Sequence, residues 1–214
     1  MEKPTMRDPR RGLAQLAVAV MTADGRVNQF EIAAVSRLES LGLGSLAQVV
    51  QNEMESVVQG TAIDVVGSCE ALGSLRPEWA AAILSTLASI ATSDREVSIP
   101  EVETLTAIGL GFGLPETTTQ EILRLSAAGQ AGKPTTADSR LASTTTPIAW
   151  ASRTMGIEPA AGVDELNARY FDLVRTFDPA KMIDLGPEFV VLAVHRLSDV
   201  TAAYQVLVSR KASR

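Results

Sequence analysis

Four acids fall into two pairs with one spacing: Asp24 and Glu31 in TADGRVNQFE at 22–31, Asp94 and Glu101 in TSDREVSIPE at 92–101. Recurring carboxylates are what oxygen-seeking divalent cations bind, but a calcium loop needs oxygens at alternating positions and a bidentate acid at the twelfth. DGRVNQFE supplies too few. The glutamates also have a structural explanation. Asn28-Gln29-Phe30-Glu31 and Ser98-Ile99-Pro100-Glu101 both have the form of a capping box, in which an N-cap side chain and an acid three residues on satisfy free backbone N–H groups. The helix dipole favours an anion there as well. Asp24 and Asp94 are expected just past the end of the preceding helix, where the dipole disfavours an anion by about 0.3–1 kcal/mol. Two offsets remain open. One is an Asx-turn, which Gly25 supports and Arg95 at the equivalent place does not. The other is that both loops present a small acidic cluster to a divalent cation or a basic partner. The candidate binding residues are therefore Asp24, Glu31, Asp94 and Glu101. No complete metal site is expected, and no cofactor other than, at most, a divalent cation.

Other chemistry-bearing residues stand alone. His195 is the single histidine and lies off the apolar stripe of its segment, so it is expected to be a solvated helix residue. Cys69, the single cysteine, has Val65, Val66 and Leu72 as neighbours and no adjacent base, and it reads as a small buried hydrophobe. GLGFG at 109–113 follows a helix, whose C-terminus offers carbonyls rather than the N–H groups that grip phosphate, so a helix-ending turn is expected. No nucleophile elbow, zinc-protease pair or phosphate loop occurs, and nucleophile, base and oxyanion donors cannot be assembled. A non-enzymatic role follows.

Helices must position these residues. The chain of 214 residues is rich in Ala, Leu and Val with only 4% aromatics, which favours an all-α fold packed through small side chains. Residues 12–126 hold 5 Lys/Arg against 14 Asp/Glu, whereas 148–214 hold 8 of each. With an acidic first part and no basic stripe, nucleic-acid binding is excluded, and cations or basic protein surfaces are the better partners. One cysteine precludes an internal disulfide and suits a reducing compartment. The run LAQLAVAVM is far shorter than the roughly 20 residues of a membrane span. A cytoplasmic chain with no membrane span is expected.

Apolar residues recur at helical spacing through Leu13, Leu16, Ala17 and Val20, then Ile32, Val35, Leu38 and Leu41, then Val49, Met54 and Val57. A segment from about Pro77 to Thr92 carries Trp79, Ile83, Leu84, Leu87 and Ile90, and one from about Pro100 carries Val102, Leu105 and Ile108. The repeat aligns without a gap from Asp24 with Asp94 to Val35 with Leu105, giving two related helix-loop-helix halves. Residues 127–147, rich in Ala, Gly, Ser, Thr and Pro, are expected to form a flexible linker between a domain at 12–126 and another at 148–214. In the second domain, Leu166, Tyr170, Leu173 and Val174 form one stripe and Phe189, Ala193, Leu197, Val200, Ala203, Tyr204 and Leu207 another. They predict two helices packed across an Asp178-Pro179 turn.

AVMTADGRVNQFEIAAVSRLESLGL resembles the signature of the TerB-like, tellurite-resistance-type helical domain: A-x-x-x-A-D-G-x-V-x-x-x-E, then a helix and an L-G-L turn. The second copy keeps Asp94, Val97 and Glu101 but loses the glycine. The resemblance implies a helical bundle connected with stress responses, with acidic loops that bind metals or partners. The C-terminal part resembles a J-domain through Met155-Gly156-Ile157, then Tyr170, Leu173 and Val174, then Ala203-Tyr204 with Leu207. That order of domains is similar to DjlA-type co-chaperones, which carry an N-terminal membrane span; no such span is expected here. A working J-domain has His-Pro-Asp in the loop that triggers ATP hydrolysis by a DnaK-type chaperone. Here the loop reads Phe177-Asp178-Pro179-Ala180-Lys181, so no stimulation is expected. Taken with the resemblance, the residues point to a stress-related adaptor or scaffold whose partner is a protein, among them a chaperone or stress-response protein. The alternatives are a divalent-cation-binding module and a divergent co-chaperone.

Overall fold

The computed structural model describes residues 8–25, 32–33, 44–73, 75–92, 97–131 and 147–212. Among them the secondary structure is helical, without strands. The chain divides into two compact units, Met1–Lys133 and Pro134–Arg214.

The first unit contains α1 (Pro9–Met21), α2 (Gly44–Val58), α3 (Val65–Ala71), α4 (Pro77–Ala91), α5 (Ile99–Gly111) and α6 (Glu116–Ala131). Helix α1 starts at Pro9, whose missing N–H costs nothing in a first turn. Asp8 caps it, accepting from the Arg10 N–H at 3.0 Å. Leu13, Leu16, Ala17 and Val20 are buried as their spacing predicts, and α1 packs against α2, α3, α4 and α5. Helix α4 starts at Pro77 and buries Trp79, Ile83, Leu84, Leu87 and Ile90.

The repeat reaches back from the loops into the helices. Helices α1 and α4 end at Met21 and Ala91, seventy positions apart, and each is followed by a threonine. Thr22 Oγ1 donates to the Val18 carbonyl at 2.8 Å, and Thr92 Oγ1 to the Ala88 carbonyl at 2.9 Å. Each hydroxyl adds a second bond to a carbonyl that already accepts from the backbone N–H of the same threonine. Buried positions match at the same offset: Leu13 with Ile83, Ala17 with Leu87, Val18 with Ala88, Val20 with Ile90.

Two expectations are modified in this unit. Val102 is not a core residue: the buried face of α5 is formed by Glu101, Leu105, Ile108 and Gly109, and Val102 lies outside it. The segment 127–131, read as the start of a flexible linker, is the last part of α6. Ala127, Ala128 and Ala131 are strong helix formers, and one glycine among them does not stop a helix already nucleated.

The second unit contains α7 (Pro147–Met155), α8 (Val163–Thr176), a 3₁₀ helix (Pro179–Leu185) and α9 (Pro187–Ala212). Helix α9 is the spine on which α7, α8 and the 3₁₀ helix pack. Phe189, Ala193, Val200, Ala203 and Leu207 are buried along it, facing Met155, Leu166, Leu173 and Phe177 among the unit's other core residues. Tyr170 and Tyr204 stack with ring centroids 4.3 Å apart. The connection between α8 and α9 is longer than a simple Asp178-Pro179 turn. Pro179 sets a helical φ at the first position of the 3₁₀ helix and Gly186, at φ 117°, ends it.

Candidate functional site

Helix ends determine what the repeated acids can do. After α1, the Gly25 N–H donates to the Thr22 carbonyl at 3.0 Å, and Gly25 takes φ 75°, a conformation that a side chain disfavours. This tight turn places Asp24 on the surface. Its counterpart Asp94 and the first glutamate, Glu31, lie outside the described residues.

Glu101 is held by the cap. It is N3 of α5 and only 5% exposed. Its Oε2 accepts from the Ser98 N–H at 2.6 Å, while Ser98 Oγ accepts from the Glu101 N–H at 3.3 Å. Both partners of the predicted capping box are present, so the carboxylate satisfies an open backbone donor rather than facing a ligand. Of the four acids, then, two are located, one exposed on a turn and one buried in a cap. Among the described residues no group of three or more His, Cys, Asp or Glu side chains is placed to hold a metal ion.

The GLGFG segment has two functions, both structural. Helix α5 ends at Gly111; the Leu114 N–H reaches back to the Gly109 carbonyl and the Gly113 N–H to the Leu110 carbonyl, each at 2.9 Å. With Gly113 at φ 75° this is a Schellman stop. The other two glycines admit neighbours. A Cβ on Gly109 would lie 2.4 Å from Thr119 Oγ1, and one on Gly111 would lie 2.8 Å from Cys69 Sγ. Cys69 is buried in that contact, and burial, with the nearby Asp64 carboxylate adding to it, pushes its thiol up to about 11. A thiol so protonated is a poor nucleophile.

A polar cluster that the sequence does not announce joins three helices. Gln15, which interrupts the apolar run of α1, donates to Glu53 Oε2 at 2.9 Å and accepts from Ser68 Oγ at 2.9 Å. Arg11 Nε donates to Glu53 Oε1 at 2.7 Å. Period-3.6 patterning marks Gln15 as an interruption; only its partners, 38 and 53 residues away, identify it as a cross-link.

In the second unit the polar groups at 177–181 are held locally. Phe177 is buried and caps α8. Asp178 caps the 3₁₀ helix, accepting from the Ala180 N–H at 3.0 Å, with Pro179 next to it. The Lys181 ammonium donates to the Arg175 carbonyl, at the end of α8. Arg169 Nε donates to the Met155 carbonyl at 3.0 Å, closing the end of α7, and its NH1 pairs with Asp172 at 2.9 Å. His195 is exposed.

A helical bundle in which α1 and α4 match at an offset of seventy, with an acid-bearing turn after α1 and no assembled reactive centre among the described residues, is what the first unit amounts to. The family model described as tellurite resistance protein TerB matches residues 10–124, more than half of the chain, and the chain belongs to that family. No curated protein and no solved structure matches it. No helix among the described residues is long and apolar enough to cross a membrane.

Proposed function

We propose that this TerB-family chain is a non-enzymatic adaptor that acts through protein contacts in a stress response, and that its C-terminal unit is a J-like module that does not stimulate a chaperone ATPase. The observation that carries the second half is the engagement of the 177–181 loop. The Asp178 carboxylate serves the Ala180 N–H, the Lys181 ammonium serves the Arg175 carbonyl, and Phe177 is buried where a J-domain has its histidine. Asp178 and Lys181 each have a local backbone partner, and Phe177 is withdrawn into the core. The basic face that would dock on a chaperone is reduced too, because Arg169 is committed to Met155 and Asp172. For the first half, the buried capped Glu101 and the buried Cys69, whose thiol is raised, support contact surfaces as the working features.

The test is steady-state ATP hydrolysis by a purified DnaK-type chaperone with and without the full chain. Turnover is expected to stay at its basal rate. A several-fold rise would make the C-terminal unit a divergent co-chaperone. Calorimetric titration with calcium, magnesium and zinc at millimolar levels separates off the cation-binding alternative, for which saturable heat that is lost in Asp24→Asn is the signature.

A further inference from the structure

Helix α6 packs on α4 and α5 through a thin seat. Across its residues 116–124 and 126, Thr119 is the one buried side chain, and Ile122, Leu123 and Ser126, which share its face at i+3, i+4 and i+7, are half-buried. Helix α4, of nearly the same length, buries Trp79, Ile83, Leu84, Leu87 and Ile90 among others.

The centre of that seat is polar and unsatisfied. Thr119 is fully enclosed, and its hydroxyl has no hydrogen-bond partner. Threonines in other helices of the chain satisfy theirs locally: Thr86, Thr104, Thr106, Thr176 and Thr201 each donate Oγ1 to the carbonyl four residues back, at 2.7–3.0 Å. For Thr119 the corresponding carbonyl is that of Pro115, which takes the Thr119 N–H at 3.0 Å. The hydroxyl lies instead against Gly109 of α5, where a Cβ would stand 2.4 Å from Oγ1 and 2.9 Å from Cγ2.

A desolvated hydroxyl without a partner disfavours the seated state, and release returns it to water. Links inside α6 survive release: Gln120 donates to Glu116 at 3.0 Å, and Arg124 to Glu121 at 2.8 and 2.9 Å. We propose that α6 is a latch, a helix that leaves α4 and α5 as one unit while the rest of the first unit stays folded. Release bares the Gly109 side of α5 and adds the 16 residues of α6 to the connection that leads to the second unit. A ligand that favours either state shifts the balance. The proposal goes beyond the adaptor reading and stands without it.

Native-state hydrogen exchange on the full chain, at several denaturant concentrations below the unfolding transition, is the test. Amides 120–124 are expected to share one opening equilibrium, at least about tenfold more populated than that of the buried centres of α1 and α4, and with a shallower dependence on denaturant. Thr119→Val keeps the shape, removes the hydroxyl and is expected to slow exchange in α6 about tenfold. The latch is overturned if α6 matches α1 and α4 in protection and slope, since it then opens only with the whole unit. It is overturned too by protection that falls residue by residue toward Ala131, which is fraying of a helix end, and by Thr119→Val exchange that is unchanged or faster. The first two outcomes are read on the unaltered chain, so a variant that misfolds does not blunt the test. None of them bears on ATP turnover or cation binding, which test the adaptor reading.

Discussion

Helices in the two compact units approach through opposite kinds of side chain. In the first, Gly109 faces Thr119 and Gly111 faces Cys69 so closely that even a methyl group has no room. In the second, the space around α9 is filled by Phe189, Met155 and Phe177, with the Tyr170–Tyr204 stack alongside. The first unit should resent added volume and the second should resent lost volume, because interiors at crystal-like density tolerate neither. The comparison also separates structural from displayed apolar residues. The first unit buries large side chains away from these glycine contacts, Trp79, Ile83 and Leu84 among them, while Ile99 and Leu110 lie on its surface.

Phe189→Ala should produce the largest effect, about 3–5 kcal/mol off the stability of the second unit, through lost transfer energy and the cavity left behind. Chemical denaturation followed by the amide signals of α8 and α9 would measure it. A loss under 1 kcal/mol would mean that the second unit is loosely packed and the contrast is false. Gly109→Ala comes next, at about 1–3 kcal/mol from overpacking against Thr119. Thr119→Ala in the same chain should recover much of that cost, and failure to do so would locate the strain elsewhere.

Cys69 tests the tight side of the comparison by pH. Its thiol is raised from 9.0 to about 11 in the folded chain. Below pH 9 it is protonated in both states and its contribution is constant. Between 9 and 11 the unfolded chain gives up the proton while the folded chain keeps it, so stability falls as pH rises, by up to about 1.4 kcal/mol per unit. Subtracting the profile of Cys69→Ala from that of the unaltered chain removes the common titration of Lys and Tyr. A flat difference would show that water reaches the thiol.

What the sequence reveals depends on distance along the chain. The Ser98–Glu101 box, the Gly113 stop, the first-turn prolines and the buried stripes of α1 and α4 are local, and spacing alone locates them. The repeat is legible because its two copies align without a gap. Gly109 against Thr119, Gly111 against Cys69 and Gln15 between Glu53 and Ser68 are tertiary contacts, and no periodicity encodes which small residue meets which neighbour. The 3₁₀ helix at Pro179–Leu185 is hidden for another reason: seven residues show too little of any period to differ from a loop. Exposure of Val102 is missed because α5, apolar on nearly every side, offers no polar face to fix its orientation. Of the candidate site, Glu101 was legible as a cap, while Glu31 and Asp94 fall outside the described residues.

Smaller still is the effect of removing a cap. Ser98→Ala deletes one acceptor at the start of α5 and should cost about 0.5–2 kcal/mol. Glu101 would then keep its bond to the residue 98 N–H, so a value in the lower half is expected. A cost above that range would mean that the box fixes the loop before it as well as the helix.

Tyr204→Phe divides the large-side-chain unit into its parts. The phenylalanine ring keeps the stack on Tyr170, whose centroid distance of 4.3 Å involves no hydroxyl. What is lost is the bond from the Tyr204 hydroxyl to Asn167 Oδ1 at 2.8 Å. Both residues are half-buried, so water can take up the freed amide oxygen, and the cost should lie at the lower end of about 0.5–1.5 kcal/mol. If Tyr204→Phe instead costs as much as Phe189→Ala, the second unit is held by a polar link rather than by ring volume. Its contrast with the glycine-lined first unit would then be one of hydrogen bonding, not of size.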